Sequence, residues 1–138
     1  MKRKLIPKEV RRQVYDKYNG HCAYCGCELD IKDMQVDHLE SVYRAEVEGK
    51  EVDNSIDNFM PSCRMCNFYK GTATIEEFRK KILTFQYVYL PDNFTTRLAL
   101  KYGMATLSKW DGEFYFEKWR ENEHILLKEV QEKGLENC

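Results

Sequence analysis

The sequence has no uncharged apolar run long enough to cross a membrane. Its longest candidate, residues 82–90, is interrupted by Gln86, and a membrane-spanning helix needs about 18 to 20 apolar residues. Residues 1–4 are basic, but neither the apolar core nor the small-residue cleavage site of a signal peptide follows them. We therefore expect no membrane partner and a cytoplasmic location, in an intracellular, reducing setting.

The sequence also lacks a large excess of charge of either sign. Its 138 residues include 22 basic and 23 acidic side chains, so no overall basic field attracts a nucleic acid. The distribution is uneven, because residues 31–60 carry three basic and eight acidic side chains, whereas the segments on either side are basic. A polyanion would therefore have to bind local basic patches. No internal repeat or low-complexity linker divides the chain, and its length suits one compact domain.

Cysteines supply the first specific pattern. Four of the six stand in two C-x-x-C pairs: Cys22, Cys25, Cys63 and Cys66. Each pair suits two corners of a tetrahedron, so together they predict a closed structural zinc site without an open position for catalysis. The alternatives are a disulfide framework, which needs an oxidising compartment, and a redox site of the thioredoxin kind, which uses a single pair. Cys27 and Cys138 are predicted to be bystanders.

Hydrophobic periodicity predicts the elements of the first half of the chain. An amphipathic helix of about three turns begins after Pro7 and ends at Asn19-Gly20. Alternation of apolar and polar residues predicts a strand over residues 34–39. Residues 45–58 are acidic and polar, and we expect a surface loop there that ends in a short helical turn.

The second half of the chain is predicted to form helices and one hairpin. The pattern from Thr74 to Glu77 is typical of a capping box and begins a helix that Pro91 closes. Asp111-Gly112 between two apolar segments is a strong hairpin signal. The aromatic residues around it are expected to pack in the core. Further helices are expected at residues 67–70, 98–102 and 118–133.

Polar residues of a particular order accompany the cysteine pairs. Asp37-His38 and Asn58 lie between the pairs, and Asn67 and Lys70 follow the second pair. Over about residues 5–72, this order resembles the HNH endonucleases, whose fold is the ββα-metal or His-Me finger fold. The third signature position is commonly His in that family and is Asn67 here, so the chain resembles the HNN-type variant.

The resemblance implies an α+β fold with two parts. Residues 1–72 would form a ββα-metal core stapled by the structural zinc on the four paired cysteines. Residues 73–138 would form a C-terminal α+β extension of helices and a hairpin, packed on the core to give a single compact domain.

The resemblance also implies roles for the polar residues. His38 would be the general base that activates water, since a neutral imidazole accepts a proton. Asp37 and Asn67 would hold one Mg²⁺ or Mn²⁺ through oxygen atoms, which suit hard cations. Asn58 would brace the loop and orient the His38 ring. Because successive strand residues face opposite ways, Asp37 and His38 share a site only if the strand ends or bends there.

The expected partner is DNA, most simply double-stranded, cut by one protein chain or by a homodimer. Four basic side chains are predicted to contact nucleic acid: Lys70, Arg11, Arg12 and Arg64. A different class of function stays open, in which a non-catalytic zinc-binding module docks nucleic acid or protein. That module would need the cysteines but not His38. A thiol redox protein is the third alternative.

Overall fold

The computed structural model describes residues 5–119, which form an α+β fold with one small antiparallel sheet. Within these residues, no helix is long and apolar enough to cross a membrane. The elements in chain order are α1 (Lys8–Lys17), β1 (Gln35–His38), α2 (Val42–Val47), a 3₁₀ turn (Ile56–Asn58), β2 (Phe59–Ser62), α3 (Arg64–Lys70), α4 (Ile75–Thr84), a π-helical segment (Phe85–Tyr89), α5 (Leu90–Asp92), α6 (Phe94–Lys101) and α7 (Tyr115–Lys118). The predicted α+β class is confirmed, and β1, β2 and α3 follow in the strand–strand–helix order that the resemblance implies.

Helix α1 begins and ends where its sequence predicts. Pro7 stands just before the first turn, and Val14 is the fully buried residue of the apolar stripe. The chain then leaves the helix through two residues of positive φ, Asn19 at 55° and Gly20 at 78°. A Cβ on Gly20 would lie 2.8 Å from the Tyr15 hydroxyl, so only glycine fits this turn into the first cysteine pair.

The sheet consists of β1 and β2, which pair with Asp37 opposite Met60 and His38 opposite Phe59. Residues that stand opposite each other project to the same face. Phe59 joins an apolar cluster with Val14 on one side, and Met60 joins a second cluster on the other. The sheet therefore separates two clusters, and Asp37 and His38 project to different faces of it.

The second apolar cluster joins the cysteine region to the residues after α3. Its buried members are Cys22, Ala23, Tyr24, Met60, Phe78 and Phe114. The Phe78 and Phe114 rings stack at 5.2 Å, and the edge of Tyr24 meets both. The expected core packing of the aromatic residues is confirmed for Phe114, and Trp110 packs against the same cluster.

The predicted hairpin around Asp111-Gly112 is wrong. Gly112 has the positive φ of a turn, 84°, but neither flanking segment is a strand. The backbone N–H groups of Tyr115 and Phe116 instead donate to the carbonyls of Tyr24 and Ala23, at 3.0 and 2.7 Å. The segment after the turn is thus anchored on the first cysteine pair, and it continues as α7.

Other boundaries also differ from the predictions. Helix α2 occupies residues assigned in part to the surface loop, and Ser41 caps it by accepting from the Arg44 N–H. Helix α3 begins three residues earlier than expected, and α6 four residues earlier. Pro91 lies within α5 and does not close the preceding helix. The predicted terminal helix over 118–133 falls, apart from its first two residues, outside the described residues.

The Arg79–Glu117 ion pair is expected to hold α7 against α4. Arg79 donates to both carboxylate oxygens of Glu117 at 2.7 Å, which holds the pKa of Glu117 below its usual range. Because the Arg79 side chain is 17% and the Glu117 side chain 29% exposed, Glu117→Gln should lower the free energy of unfolding by about 1–2 kcal/mol. Glu76→Gln removes the other, exposed partner of Arg79 and should cost less than about 0.5 kcal/mol. Equal costs in urea unfolding would contradict the anchoring role of Glu117.

Candidate functional site: a cysteine cluster and a buried ion pair under His38

The four cysteines of the two C-x-x-C pairs come together in the fold. Their sulfur atoms all lie within 4.8 Å of one another, and Cys25 and Cys63 lie 3.9 Å apart. A tetrahedron with zinc–sulfur bonds of about 2.3 Å has edges of about 3.8 Å. Four thiols at this spacing fit a metal ion such as zinc.

The surroundings of the cluster also suit a metal bound by thiolates. The backbone N–H of Cys63 points to the Cys22 sulfur and that of Cys66 to the Cys63 sulfur, both at 3.4 Å. Hydrogen bonds from Cys25 and Cys66 lower the pKa of Cys22, whereas those with Cys22 and Cys25 raise the pKa of Cys66. The thiols therefore do not all ionise by themselves, and a bound cation would replace their remaining protons.

The carboxylate of Asp37, a residue of β1, is buried beneath the surface. Its Oδ2 accepts from the Tyr24 hydroxyl at 2.5 Å and from the Lys70 ammonium at 2.9 Å. Burial, followed by the nearby Asp37 charge, raises the pKa of Tyr24, so the hydroxyl stays protonated and donates. Within residues 5–119, Oδ1 of Asp37 has no hydrogen-bond partner, and this oxygen is available to a ligand.

Lys70 does not lie where a phosphate contact requires it. Its side chain is fully buried, and besides Asp37 it donates to the His38 carbonyl at 3.1 Å. The predicted nucleic-acid contact of Lys70 does not fit this position, because the ammonium is buried against Asp37. Lys70 links α3 to both signature residues of β1.

The His38 ring lies on the other side of the sheet from the Asp37 carboxylate. Its edge packs on Phe59 at 5.1 Å, and Nε2 lies 3.0 Å from Oδ1 of Asn54. An amide oxygen accepts, so Nε2 carries the proton and Nδ1 keeps a lone pair. The arrangement can therefore accept a proton at Nδ1.

Asn58 is a buried side chain that ties together the loop after His38. Its Oδ1 accepts from the Glu40 N–H at 2.8 Å, and its Nδ2 donates to the carbonyls of Glu40 and Asp53. Its contacts are with backbone, and the ring of His38 is bound by Asn54. The prediction that Asn58 orients the His38 ring is therefore wrong, because Asn54 makes the direct contact with the ring.

Asn67 is half-buried in α3, three residues before Lys70. Residues at this separation share one side of a helix. Because Lys70 reaches Asp37, Asn67 lies one turn away from that contact. A carboxylate and a carboxamide oxygen form a donor set that fits a hard divalent cation.

The predicted nucleic-acid contacts fall into two kinds. Arg11 donates to the carbonyls of Ile31 and Met34 and so holds the loop before β1. Arg12 and Arg64 are exposed, and Arg12 pairs with Asp16 one turn away on α1. Of the four residues predicted to contact nucleic acid, Arg12 and Arg64 are therefore the two that a ligand in solution can reach.

Two residues of the site, Tyr24 and Asn54, could not be identified from the sequence pattern. Tyr24 lies inside the first C-x-x-C pair, where the spacing of the cysteines was the sole signal. Asn54 stands in a polar loop, four residues before Asn58, and nothing local connects it to His38. Both contacts are made only when the chain folds.

Comparison with known proteins bears on this site. Residues 22–72 match the family model described as HNH endonuclease, so the match runs from the first cysteine to the residue after Gly71. No curated protein matches the chain. The matched segment contains the cysteine cluster, both strands and α3. We conclude that residues 22–72 of the chain are similar to the HNH endonuclease family.

Proposed function

We propose that the protein is a divalent-metal-dependent endonuclease that hydrolyses DNA phosphodiester bonds, with His38 as the general base. The observation that carries the proposal is the His38–Asn54 contact within a segment similar to the HNH family. With the amide oxygen as acceptor, the proton is on Nε2, and the lone pair of Nδ1 would accept a proton from water. A neutral imidazole is the usual general base near neutral pH.

The reaction is a hydrolysis at phosphorus. Nδ1 of His38 takes a proton from water as the water oxygen forms its bond to phosphorus. The bond from phosphorus to the 3′ oxygen breaks, and the 3′ oxygen leaves with the electron pair and takes a proton from solvent. Asn58 supports this step indirectly, because it fixes the backbone of Glu40 and Asp53 on either side of the base. The loop that carries Asn54 is held in the same way.

Asp37 and Asn67 would hold one Mg²⁺ or Mn²⁺. Such an ion supplies stabilisation of the negative charge that develops on the phosphate and the leaving oxygen. The Asp37 carboxylate and the His38 ring face opposite sides of β1, but β1 ends at His38, so the phosphate would bind across the end of the strand. Lys70 holds the Asp37 carboxylate in place through Oδ2, which leaves Oδ1 for the ion. Zinc on the four cysteines would have a structural role, because it joins the first pair to the start of α3.

Substrate binding would use the exposed basic residues. Arg12 and Arg64 would neutralise phosphates of the substrate, which predicts a salt-dependent affinity. We propose double-stranded DNA as the substrate to test first. A homodimer would cut both strands, whereas a single chain would nick one.

Supercoiled plasmid is the substrate that tests the proposal. The folded protein, with its zinc content verified, should produce nicked or linear DNA with Mg²⁺ or Mn²⁺ and none when excess chelator is added briefly. His38→Ala should reduce the rate about 10²- to 10⁴-fold, because the general base is lost. His21→Ala is the matched control, since its ring stacks on Tyr115 and does not reach the site.

Two results would contradict the nuclease. Cleavage by His38→Ala at the wild-type rate would remove the base from the mechanism. Absence of cleavage by folded, zinc-loaded protein on duplex, single-stranded and RNA substrates would favour a zinc-binding module that docks nucleic acid or protein.

Asn54 should affect the rate through the orientation of the base. Asn54→Ala frees the His38 ring and should lower kcat about ten- to a hundredfold, with KM unchanged. Asn54→Asp keeps an oxygen acceptor for Nε2 and should retain most of the rate. Steady-state cleavage of a labelled duplex measures both variants, and equal activity of Asn54→Ala and wild type would rule out this role.

A further inference from the structure

Four aromatic side chains form a continuous row from α3 to the π-helical segment. The row consists of Phe68, Tyr69, Phe85 and Tyr89, whose successive ring centroids are 5.4, 5.9 and 5.7 Å apart. It starts at the residue after Asn67, the proposed ligand of the catalytic ion. We call this set the aromatic row.

The aromatic row is largely open to solvent. Phe68 is 77% exposed, Tyr69 44% and Tyr89 59%. The π-helical segment, α5 and α6 contain no buried residue. Exposed aromatic residues in contact with one another mark a binding surface, whereas scattered ones need no explanation.

The segment around the row is strongly basic. Residues 79–109 contain six basic side chains and a single acidic one, Asp92. Arg79 is held by ion pairs with glutamates, and within residues 5–119 the other five form no ion pair. Lys81 donates to the Tyr69 carbonyl at 2.6 Å, which places its positive charge beside the row.

Aromatic faces flanked by positive charge suit a polyanion with flat apolar groups. Single-stranded nucleic acid has both, because its bases are free to stack and its phosphates are close by. Duplex DNA keeps its base faces inside the helical stack. A second copy of this chain, placed face to face on the row, would bring two surfaces of the same charge together.

We propose that the aromatic row binds single-stranded nucleic acid. The position of the row rests on the proposed nuclease function, since it would hold an unpaired stretch beside the bond to be cut. The substrate would then be a junction, flap or single strand, with the scissile phosphate at His38 and the neighbouring bases on Phe68, Tyr69 and Tyr89.

The test is binding of fluorescent oligonucleotides, measured by anisotropy with zinc-loaded His38→Ala protein so that nothing is cleaved. The probes are one sequence of about 16 nucleotides, long enough for a typical site, as single-stranded DNA, single-stranded RNA and duplex DNA. Single strands should bind at least about tenfold more tightly than the duplex. Comparison of single-stranded DNA with single-stranded RNA shows whether deoxyribose or ribose is preferred. Tighter binding of either single strand than of the duplex supports the proposal.

Tyr89→Ala is compared with Tyr43→Ala, because both tyrosines are 59% exposed and only Tyr89 belongs to the row. Losing one stacked base should weaken single-strand binding by Tyr89→Ala about five- to a hundredfold. Tyr43 lies on α2 in the acidic segment, and its variant should bind within twofold of its parent.

Three results would overturn the proposal: equal or tighter binding of duplex, equal effects of the two tyrosine variants, or dimerisation in light scattering that Tyr89→Ala abolishes. The last result would assign the row to a second copy. Since no cleavage is needed, binding on the row with no nuclease activity would refute the proposed function alone, and activity without single-strand preference would refute the row alone.

Discussion

If the cysteine cluster holds zinc as proposed, removal of the metal from the reduced protein is expected to abolish its cooperative unfolding transition. The four sulfur atoms belong to two segments, before β1 and at the start of α3, and the cluster joins them. Structural zinc contributes about 10–16 kcal/mol of apparent binding free energy near neutral pH. This free energy is comparable to the whole stability of an ordinary domain, about 5–15 kcal/mol. The metal-free chain should therefore lose its fixed tertiary structure.

Two variants separate the metal site from general cysteine effects. Cys22→Ser removes a fully buried ligand, whereas Cys27→Ser removes an exposed thiol that lies outside the four-sulfur cluster. Cys22→Ser should lose the bound zinc, the native circular dichroism signal and the cooperative thermal transition. Cys27→Ser should keep all three. A cooperative melt of the chelated protein at the wild-type temperature would contradict the structural role of the metal.

Acid should release the metal as well. The thiols must lose protons to bind zinc, so falling pH favours protonated sulfur and empties the site. Release followed with a chromogenic chelator should accelerate as the pH falls, and unfolding should follow it.

Lys70→Met is expected to destabilise the protein by about 3–5 kcal/mol. The variant leaves the Asp37 carboxylate buried with the Tyr24 hydroxyl as its remaining donor. The ammonium is fully buried and the carboxylate side chain 8% exposed, so water cannot replace the lost partner. Urea unfolding of zinc-loaded protein measures the change. Adding Asp37→Asn to this variant removes the unpaired charge and should recover part of the loss.

Arg44→Met provides the matched control for a charged pair. Arg44 binds Glu77 with both side chains at least one-third exposed, so its loss should cost no more than about 1 kcal/mol. If Lys70→Met lowers the free energy of unfolding by no more than Arg44→Met does, the buried Lys70–Asp37 pair does not hold α3 to β1.

Helices with strong local signals were predictable from the sequence. In α4, the Thr74 hydroxyl accepts from the Glu77 N–H at 3.1 Å, as the capping pattern indicates. The second half of the capping box is absent, because the Glu77 carboxylate binds Arg44 on α2. A side chain with two competing partners follows the tertiary structure, and the sequence pattern does not contain that information.

Strand β2 carries no periodic signal. All four of its residues are buried, so apolar and polar residues do not alternate, and Pro61 argues against a strand. Its position depends on pairing with β1 and on the Pro61 carbonyl, which accepts from the Ala23 N–H at 2.8 Å. Both contacts are distant in sequence. The strand follows from the family resemblance and not from local pattern.

The candidate site was predictable in its residues but only partly in its contacts. The order of Asp37, His38 and Asn67 indicated a family and a chemistry. The burial of Lys70 was not predictable, since a lysine in an exposed-looking helix is usually solvated. The Asn54 contact depends on a loop conformation that Asn58 stabilises through three hydrogen bonds.

The glycine after the first cysteine pair limits how the matched segment, residues 22–72, can be transferred to another protein. Gly26 has φ of +80°, and a Cβ there would lie 2.6 Å from the Tyr115 ring. Phe78 and Phe114 complete the cluster around Tyr24 from beyond residue 72. Residues 22–72 grafted onto another protein would therefore expose the Tyr24 ring and the space over Gly26. A soluble chimera should need either residues 73–119 or a new side chain to cover them.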